Sequence, residues 1–392
     1  MSKKLVIGFD GLSGVGKTSV AKYLCQKNKK YLHIELGNLY RAVVPFWIYL
    51  KNKYSQKDVI GFMNDLSINY NISNQEIIFV IDSPIKELKI TRKYNRSDIY
   101  EMAQINEIRQ KVYNSLRNII DRLAGDYIII LVGRELEVIY SNIDYHFYFK
   151  ANEEDRIIRI TERDSVSKTD AKNRKIEEEI THFSSNVIII NSSRLTIREM
   201  GNMVENAIKF RKNILKKIQF LGAPSTGKTT ISRKCAEKFD GLYAEEKLRE
   251  YMETRKLAFS DLHNLKISEW CNIIKSQIIN EQEIEKKTNK LVFADSGPLL
   301  YAIDFNMLNI MDINSLIKKH LKDAGMIFVC DDDIPYIQDG LRPNKDEYDV
   351  EKSQYEIIKF LNEENIPYFI LTGTREERLE TVNQLVSIYN NK

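Results

Sequence analysis

The chain has 392 residues, enough for two or three domains, and its 43% hydrophobic content supports ordinary globular cores. Its 59 basic and 55 acidic residues leave a net charge of +4, too nearly balanced for the basic surface of a nucleic-acid binder, and its longest apolar runs fall far short of a membrane span. Four scattered cysteines with no C-x-x-C spacing argue against a disulfide framework or a zinc site, and a reducing, cytoplasmic compartment is expected.

Met1-Ser2-Lys3-Lys4 leads directly into an apolar β-rich run at residues 5–9, so no cleavable signal is expected. Next come Gly11-Leu12-Ser13-Gly14-Val15-Gly16-Lys17-Thr18 and a helical pattern, the strand–loop–helix setting of a G-x-x-x-x-G-K-[ST] phosphate loop. Strands near residues 31–34, 127–132, 145–149 and 187–190 alternate with helical stretches, indicating a parallel α/β sheet. Between residues 52 and 124 the alternation breaks into a short β segment at 77–81 and a long helical pattern from Asp98 to Leu123. This stretch reads as an inserted lobe for a second substrate. The next boundary, near residues 211–216, has no Pro/Gly/Ser linker. Beyond it the order repeats, with a β run at 218–221, the loop Gly222-Ala223-Pro224-Ser225-Thr226-Gly227-Lys228-Thr229, a long helical region at 261–287, and strands near 291–294, 326–330 and 368–371. The expected architecture is α/β: two tandem P-loop NTPase domains, each a mainly parallel sheet flanked by helices, over residues 1–212 and 214–392.

A chain of this composition should match the loop pattern by chance roughly once in a hundred sequences, so two accidental matches are very rare. The chemistry explains the residue types. Gly11, Gly14 and Gly16, and likewise Gly222 and Gly227, let backbone N–H groups turn inward around phosphates, where the following helix presents its positive end. Lys17 and Lys228 are placed to reach the β- and γ-phosphates, and Thr18 and Thr229 to offer a hydroxyl to Mg²⁺. ATP or a similar triphosphate is the expected donor.

An ordered series in the first half carries a resemblance: Phe9-Asp10-Gly11, then Glu35-Leu36-Gly37-Asn38-Leu39-Tyr40-Arg41-Ala42, then Val132-Gly133-Arg134-Glu135, and finally Ile188 to Leu195. These segments resemble cytidylate kinases and, more loosely, the wider nucleoside monophosphate kinases. The resemblance implies that Arg41 and Arg134 hold the acceptor phosphate, with Arg92 as a third at the edge of the insert; bidentate guanidinium forks suit that task. Asp10 either assists the Mg²⁺ shell through water or caps the turn. Two departures stand out. Leu36 replaces the hydroxyl residue usual after the acidic position, and the lid is short, its basic candidates being Arg156, Arg159, Arg163 and Arg174. The alternative for the first three is a solvated helix face.

The second half resembles the ribosylnicotinamide kinase domain of the bacterial NadR proteins and related small ATPases. The matching segments are Phe220 to Thr229, Glu245 to Tyr251, Phe293-Ala294-Asp295-Ser296, Asp333 to Arg342, and Leu371-Thr372-Gly373 with Glu377-Arg378. Asp295 ends an apolar strand, where it can hold the Mg²⁺ water shell or accept the proton of the acceptor hydroxyl; a helix N-cap is the alternative. Glu246 and Arg249 occupy the acceptor-side motif, against an ordinary exposed helix pair. Arg342 suits closure over the transferring phosphoryl group, with Asp339 and Gly340 shaping its loop. No His-x-Gly-His occurs among the five histidines, so the adenylyltransferase of complete NadR proteins is not expected.

The leading expectation is a tandem kinase of small nucleoside-type acceptors, using ATP and Mg²⁺, without nucleic-acid or membrane partners. An ATP-binding regulatory or nucleotide-sensing protein is the alternative. A 5′-polynucleotide kinase lacks the basic groove it would need.

Overall fold

The computed structural model describes residues 4–82, 96–164, 187–209, 215–338, 342–346 and 348–390. The chain forms two compact units, Met1–Asn202 and Met203–Lys392. Among the described residues no helix is long and apolar enough to cross a membrane.

The first unit is built on a seven-stranded sheet of β1 (Leu5–Gly11), β2 (Tyr31–Glu35), β3 (Ser67–Ser73), β4 (Glu76–Asp82), β5 (Ile128–Val132), β6 (Tyr145–Lys150) and β7 (Val187–Asn191), in the order β3-β4-β2-β5-β1-β6-β7. Every pair from β4 to β7 is parallel; only β3 and β4 run antiparallel. The central strands are continuous apolar runs because helices cover both faces, leaving Ile7, Phe9, Ile130 and Phe147 fully buried. The inserted segment is not a detached lobe. Its β4 extends the main sheet at His33↔Glu76, and the turn at Asn74-Gln75 docks where His33 N–H donates to Gln75 O at 2.8 Å. The expected long helix is two, Arg96–Gln104 and Asn106–Leu123, interrupted at Ile105, whose extended backbone precedes the second. That second helix buries Val112, Leu116, Ile119 and Leu123, one face at helical spacing.

The second unit holds an all-parallel five-stranded sheet of β8 (Lys217–Leu221), β9 (Leu242–Ala244), β10 (Val292–Asp295), β11 (Met326–Cys330) and β12 (Phe369–Leu371), ordered β12-β11-β8-β10-β9. Phe328 bridges its core, 5.5 Å from the Phe220 ring and 5.9 Å from that of Phe369. In both units the phosphate loop leaves the carboxyl end of a strand with a parallel neighbour on each side. This is where open parallel sheets bind ligands.

Candidate active sites

In the first unit, Gly11 and Gly16 take left-handed backbone conformations at φ 128° and 95°. A side chain at Gly11 would collide with the Phe149 carbonyl. Lys17 opens the helix Lys17–Lys27, and its ammonium donates to the carbonyls of Gly11 and Leu12. Asp10 is buried and has both oxygens engaged: Oδ1 accepts from Gly11 N–H at 2.7 Å and Oδ2 from Leu136 N–H at 3.0 Å. Burial alone would raise its pKa, but His146 and those two N–H groups more than offset it, and the carboxyl titrates below its ordinary value. These two bonds tie the loop to the turn that carries Arg134.

Arg41 lies one turn into the helix Leu36–Lys51, donating to Asn38 Oδ1 at 2.6 Å and standing 3.8 Å from Glu35 Oε1. Glu35 Oε2 in turn is 3.5 Å from the Thr18 hydroxyl. Glu35 and Val132 are in register on adjacent strands, so the helix bearing Arg41 and the turn bearing half-buried Arg134 begin side by side. Leu36, in place of a hydroxyl, is buried, and its Cβ is 3.1 Å from the Cβ position a side chain at Gly133 would take.

The arginine ladder on the helix Glu153–Asp164 does not form a merely solvated face. Arg156 Nε donates to Ser13 O at 3.0 Å, Arg159 to Gly14 O at 3.4 Å and to Ser192 O at 2.7 Å, and Arg163 to Ser13 Oγ at 3.3 Å. Three cations thus converge on the first glycine-rich loop, at Ser13 and Gly14. Arg92 and Arg174 lie outside the described residues, as do Asp339 and Gly340.

The second loop repeats the plan with Gly222 at φ 144° and Gly227 at φ 83°. Buried Lys228 opens the helix Lys228–Lys238 and donates to Ala223 O at 2.7 Å. Burial lowers its pKa, against the opposing pull of Asp295 and Glu246. Gln354 pins the loop by accepting from Ala223 N–H at 3.1 Å while donating to Cys330 O at 3.0 Å. Arg378, 1% exposed, donates to Thr226 O at 2.7 Å, Gly373 O at 3.0 Å and Asp331 O at 3.0 Å, and pairs with Asp333. Sequence reasoning noted Arg378 within a motif but gave it no role.

Beside this loop opens a pocket whose polar rim includes Lys228, Thr229, Glu246 and Arg249. Asp295 is buried at the end of β10 and accepts from Tyr243 OH at 2.8 Å; Gly297, not Asp295, is the N-cap of the helix Pro298–Asp304. Glu246 accepts from Tyr301 OH at 2.8 Å, and burial, followed by the repulsion of Asp295, raises its pKa. Phe259 and Phe305 line the apolar side, and Trp270 stacks on Phe305 with ring centroids 4.0 Å apart. Asp304 also lines the pocket, accepting from Tyr348 OH at 2.7 Å and Ser353 Oγ at 3.0 Å. Arg342 donates to Ile337 O at 2.5 Å and stands 3.5 Å from Ser225 Oγ in the phosphate loop. The aromatic wall and Asp304 lacked a motif to reveal them, because residues distant in the chain assemble them.

Two lysine-tipped phosphate loops, each beside groups fit to hold an acceptor, define a P-loop phosphotransferase. Residues 7–210 match the family model described as "Cytidylate kinase", and the chain belongs to that family. Residues 217–378 match a second model, described as "AAA domain". The cytidylate kinase of Clostridium botulinum (strain Langeland) is 25% identical over 227 residues, spanning 52% of this chain and 97% of that protein. That of Clostridium perfringens (strain SM101) is 27% identical over 161 residues, spanning 41% of this chain and 70% of its own. A crystal structure of "NadR protein in complex with NR" aligns over 100% of this chain and 97% of its own at 16% identity, with a TM-score of 0.38.

Proposed function

We propose that the chain is a tandem ATP-dependent kinase in which residues 1–212 phosphorylate a nucleoside monophosphate and residues 214–392 a nucleoside, with nicotinamide riboside the first acceptor to try. One observation carries this reading: the acceptor sides of the two loops differ in charge. Next to Thr18 stands Glu35, which pairs with Arg41, and the Arg134 turn adjoins on the neighbouring strand, so two guanidiniums are at hand for a phosphate. Next to Lys228 and Thr229 stand Glu246, Asp304 and an aromatic wall, which suit a hydroxyl-bearing acceptor with a flat, uncharged or cationic base. Arg342, against Ser225, belongs to the donor side, and Arg249 is a charge partner of Glu246.

In each half the glycines and the lysine bind the donor phosphates. Asp295 accepts the proton of the acceptor hydroxyl or supports the metal, with Glu246 orienting the hydroxyl. Thr18 beside Glu35, and Thr229, which shares the pocket lining with Glu246, offer hard oxygen donors that suit Mg²⁺. When bound, that ion neutralises phosphate charge. Incubating the whole chain with ATP, Mg²⁺ and a panel of nucleosides and monophosphates, followed by mass spectrometry, is expected to show one phosphate added to a member of each class. ATP binding with no phosphorylated nucleoside would overturn the C-terminal assignment and leave a regulatory ATP site.

A further inference from the structure

The helix Ile267–Lys287 carries two polar side chains with no solvent exposure, Gln277 and Glu281, one turn apart. The Gln277 amide closes on the two peptide groups that flank Glu246: Oε1 accepts from Lys247 N–H at 2.6 Å, and Nε2 donates to Glu245 O at 3.3 Å. Lys247 N–H is an orphan donor at the start of the helix Lys247–Arg255, whose N-cap, Glu246, makes no side-chain cap. The amide serves there only with its two ends the right way round. Glu281 fixes that orientation, since its Oε1 accepts from Gln277 Nε2 at 2.8 Å and an ionised carboxylate can only accept.

Glu281 is itself held from two other elements. Its Oε2 lies 3.3 Å from Lys217 Nζ on β8 and 3.1 Å from His320 Nε2 on the helix Met311–Lys322, both buried. Burial works to raise its pKa, but His320 and Lys217 outweigh it, and the carboxyl titrates below its ordinary value. None of these four side chains lines the pocket. A buried ion cluster is a poor device for stability alone, because desolvating its charges offsets their attraction. What this cluster does fix is the direction of one amide, and through it the backbone on either side of Glu246.

We propose that Gln277, oriented by Glu281, is the positioning residue that holds Glu246 against the acceptor hydroxyl, an inference that rests on the reading of Glu246 as the acceptor-side carboxylate. Gln277 touches no substrate. Its loss would let the Glu245–Lys247 backbone move, and a displacement of about 1 Å near reacting atoms costs on the order of 100-fold in rate.

The test uses the whole chain with nicotinamide riboside as acceptor, and measures its monophosphate by mass spectrometry. Gln277→Met keeps the side-chain length and loses both backbone contacts; it is expected to lower kcat about 10- to 100-fold while leaving ATP affinity unchanged. Gln277→Glu supplies a readout that a structural role would not move. Ionised, the new carboxylate faces Glu281 and has no proton to donate; protonated, it again donates to Glu281 and accepts from Lys247 N–H. Its rate relative to wild type should climb as pH falls, whereas the Gln277→Met ratio stays flat. Wild-type kcat in Gln277→Met, or a flat ratio in Gln277→Glu, would overturn the inference. If Gln277→Met does not fold, the Gln277→Glu ratio decides alone. Glu246→Gln separates the two layers: impaired turnover there beside unaffected Gln277 variants sinks only the positioning role, while unimpaired turnover sinks the acceptor reading and the positioning role together.

Discussion

Glu246 holds its proton more tightly than an ordinary glutamate, because burial and then the nearby Asp295 penalise its ionised form. A carboxyl whose folded pKa lies above its unfolded one contributes stability below the unfolded value and loses it as pH rises through the folded value. The second unit should therefore lose stability on going upward from the ordinary glutamate pKa of 4.5, as Glu246 ionises. The nucleoside phosphorylation proposed for this unit, in which ionised Glu246 orients the acceptor hydroxyl, should rise over that same window. Glu246→Gln should flatten the stability trend in denaturant melts, and an unchanged trend would show that another group causes it. Arg41 bears on the first unit. Removing one charge-assisted phosphate contact should cost about 2 kcal/mol, about thirtyfold in monophosphate turnover, with ATP affinity intact. Steady-state kinetics of Arg41→Ala check this, and undiminished turnover would remove Arg41 from the acceptor site.

At the scale of elements, the phosphate loops tolerate little change. Gly222 has φ 144°, and a Cβ there would sit 2.6 Å from Cys330 O and 2.8 Å from Thr226 Oγ1. Gly222→Ala should destabilise the loop by about 1–3 kcal/mol and remove the C-terminal ATP site in calorimetry; retained wild-type affinity would contradict the loop's geometry. Arg378→Met leaves Asp333 buried without its guanidinium and should cost about 3–5 kcal/mol in chemical denaturation, whereas a cost under about 1 kcal/mol would mean the loops hold without it. The strands flanking both loops were legible as continuous apolar runs, since burial on both faces demands them. β3, Ser-Ile-Asn-Tyr-Asn-Ile-Ser, was not, because as an edge strand it is largely exposed. Its hairpin was equally hidden, with Asn74-Gln75 taking positive φ in place of a glycine signal. β9 has only three residues and one buried side chain, too little to stand out. Arg378 could not be foreseen as buried because its acceptors come from separate loops, and the Arg156–Arg163 ladder fits a solvated helix until the fold lays it on Ser13 and Gly14.

Over the whole molecule, the two units share one device, a lysine at a helix start after a parallel strand, and differ in what stands opposite. Beside its loop the first unit sets Arg41 paired with Glu35, while the second sets Glu246, Asp304 and aromatic rings together with Arg249. A net charge of +4 over 392 residues gives no overall field to choose acceptors, so the choice must lie in these local groups. Two phosphotransferase sites with different acceptors would each depend on its own lysine, and mass spectrometry of products formed from mixed nucleosides and monophosphates by the wild-type chain, Lys17→Ala and Lys228→Ala reads this out. Lys17→Ala should lose phosphorylation of the monophosphate and keep that of the nucleoside, and Lys228→Ala should do the reverse. Loss of both activities in either single variant would show that the two sites do not work separately.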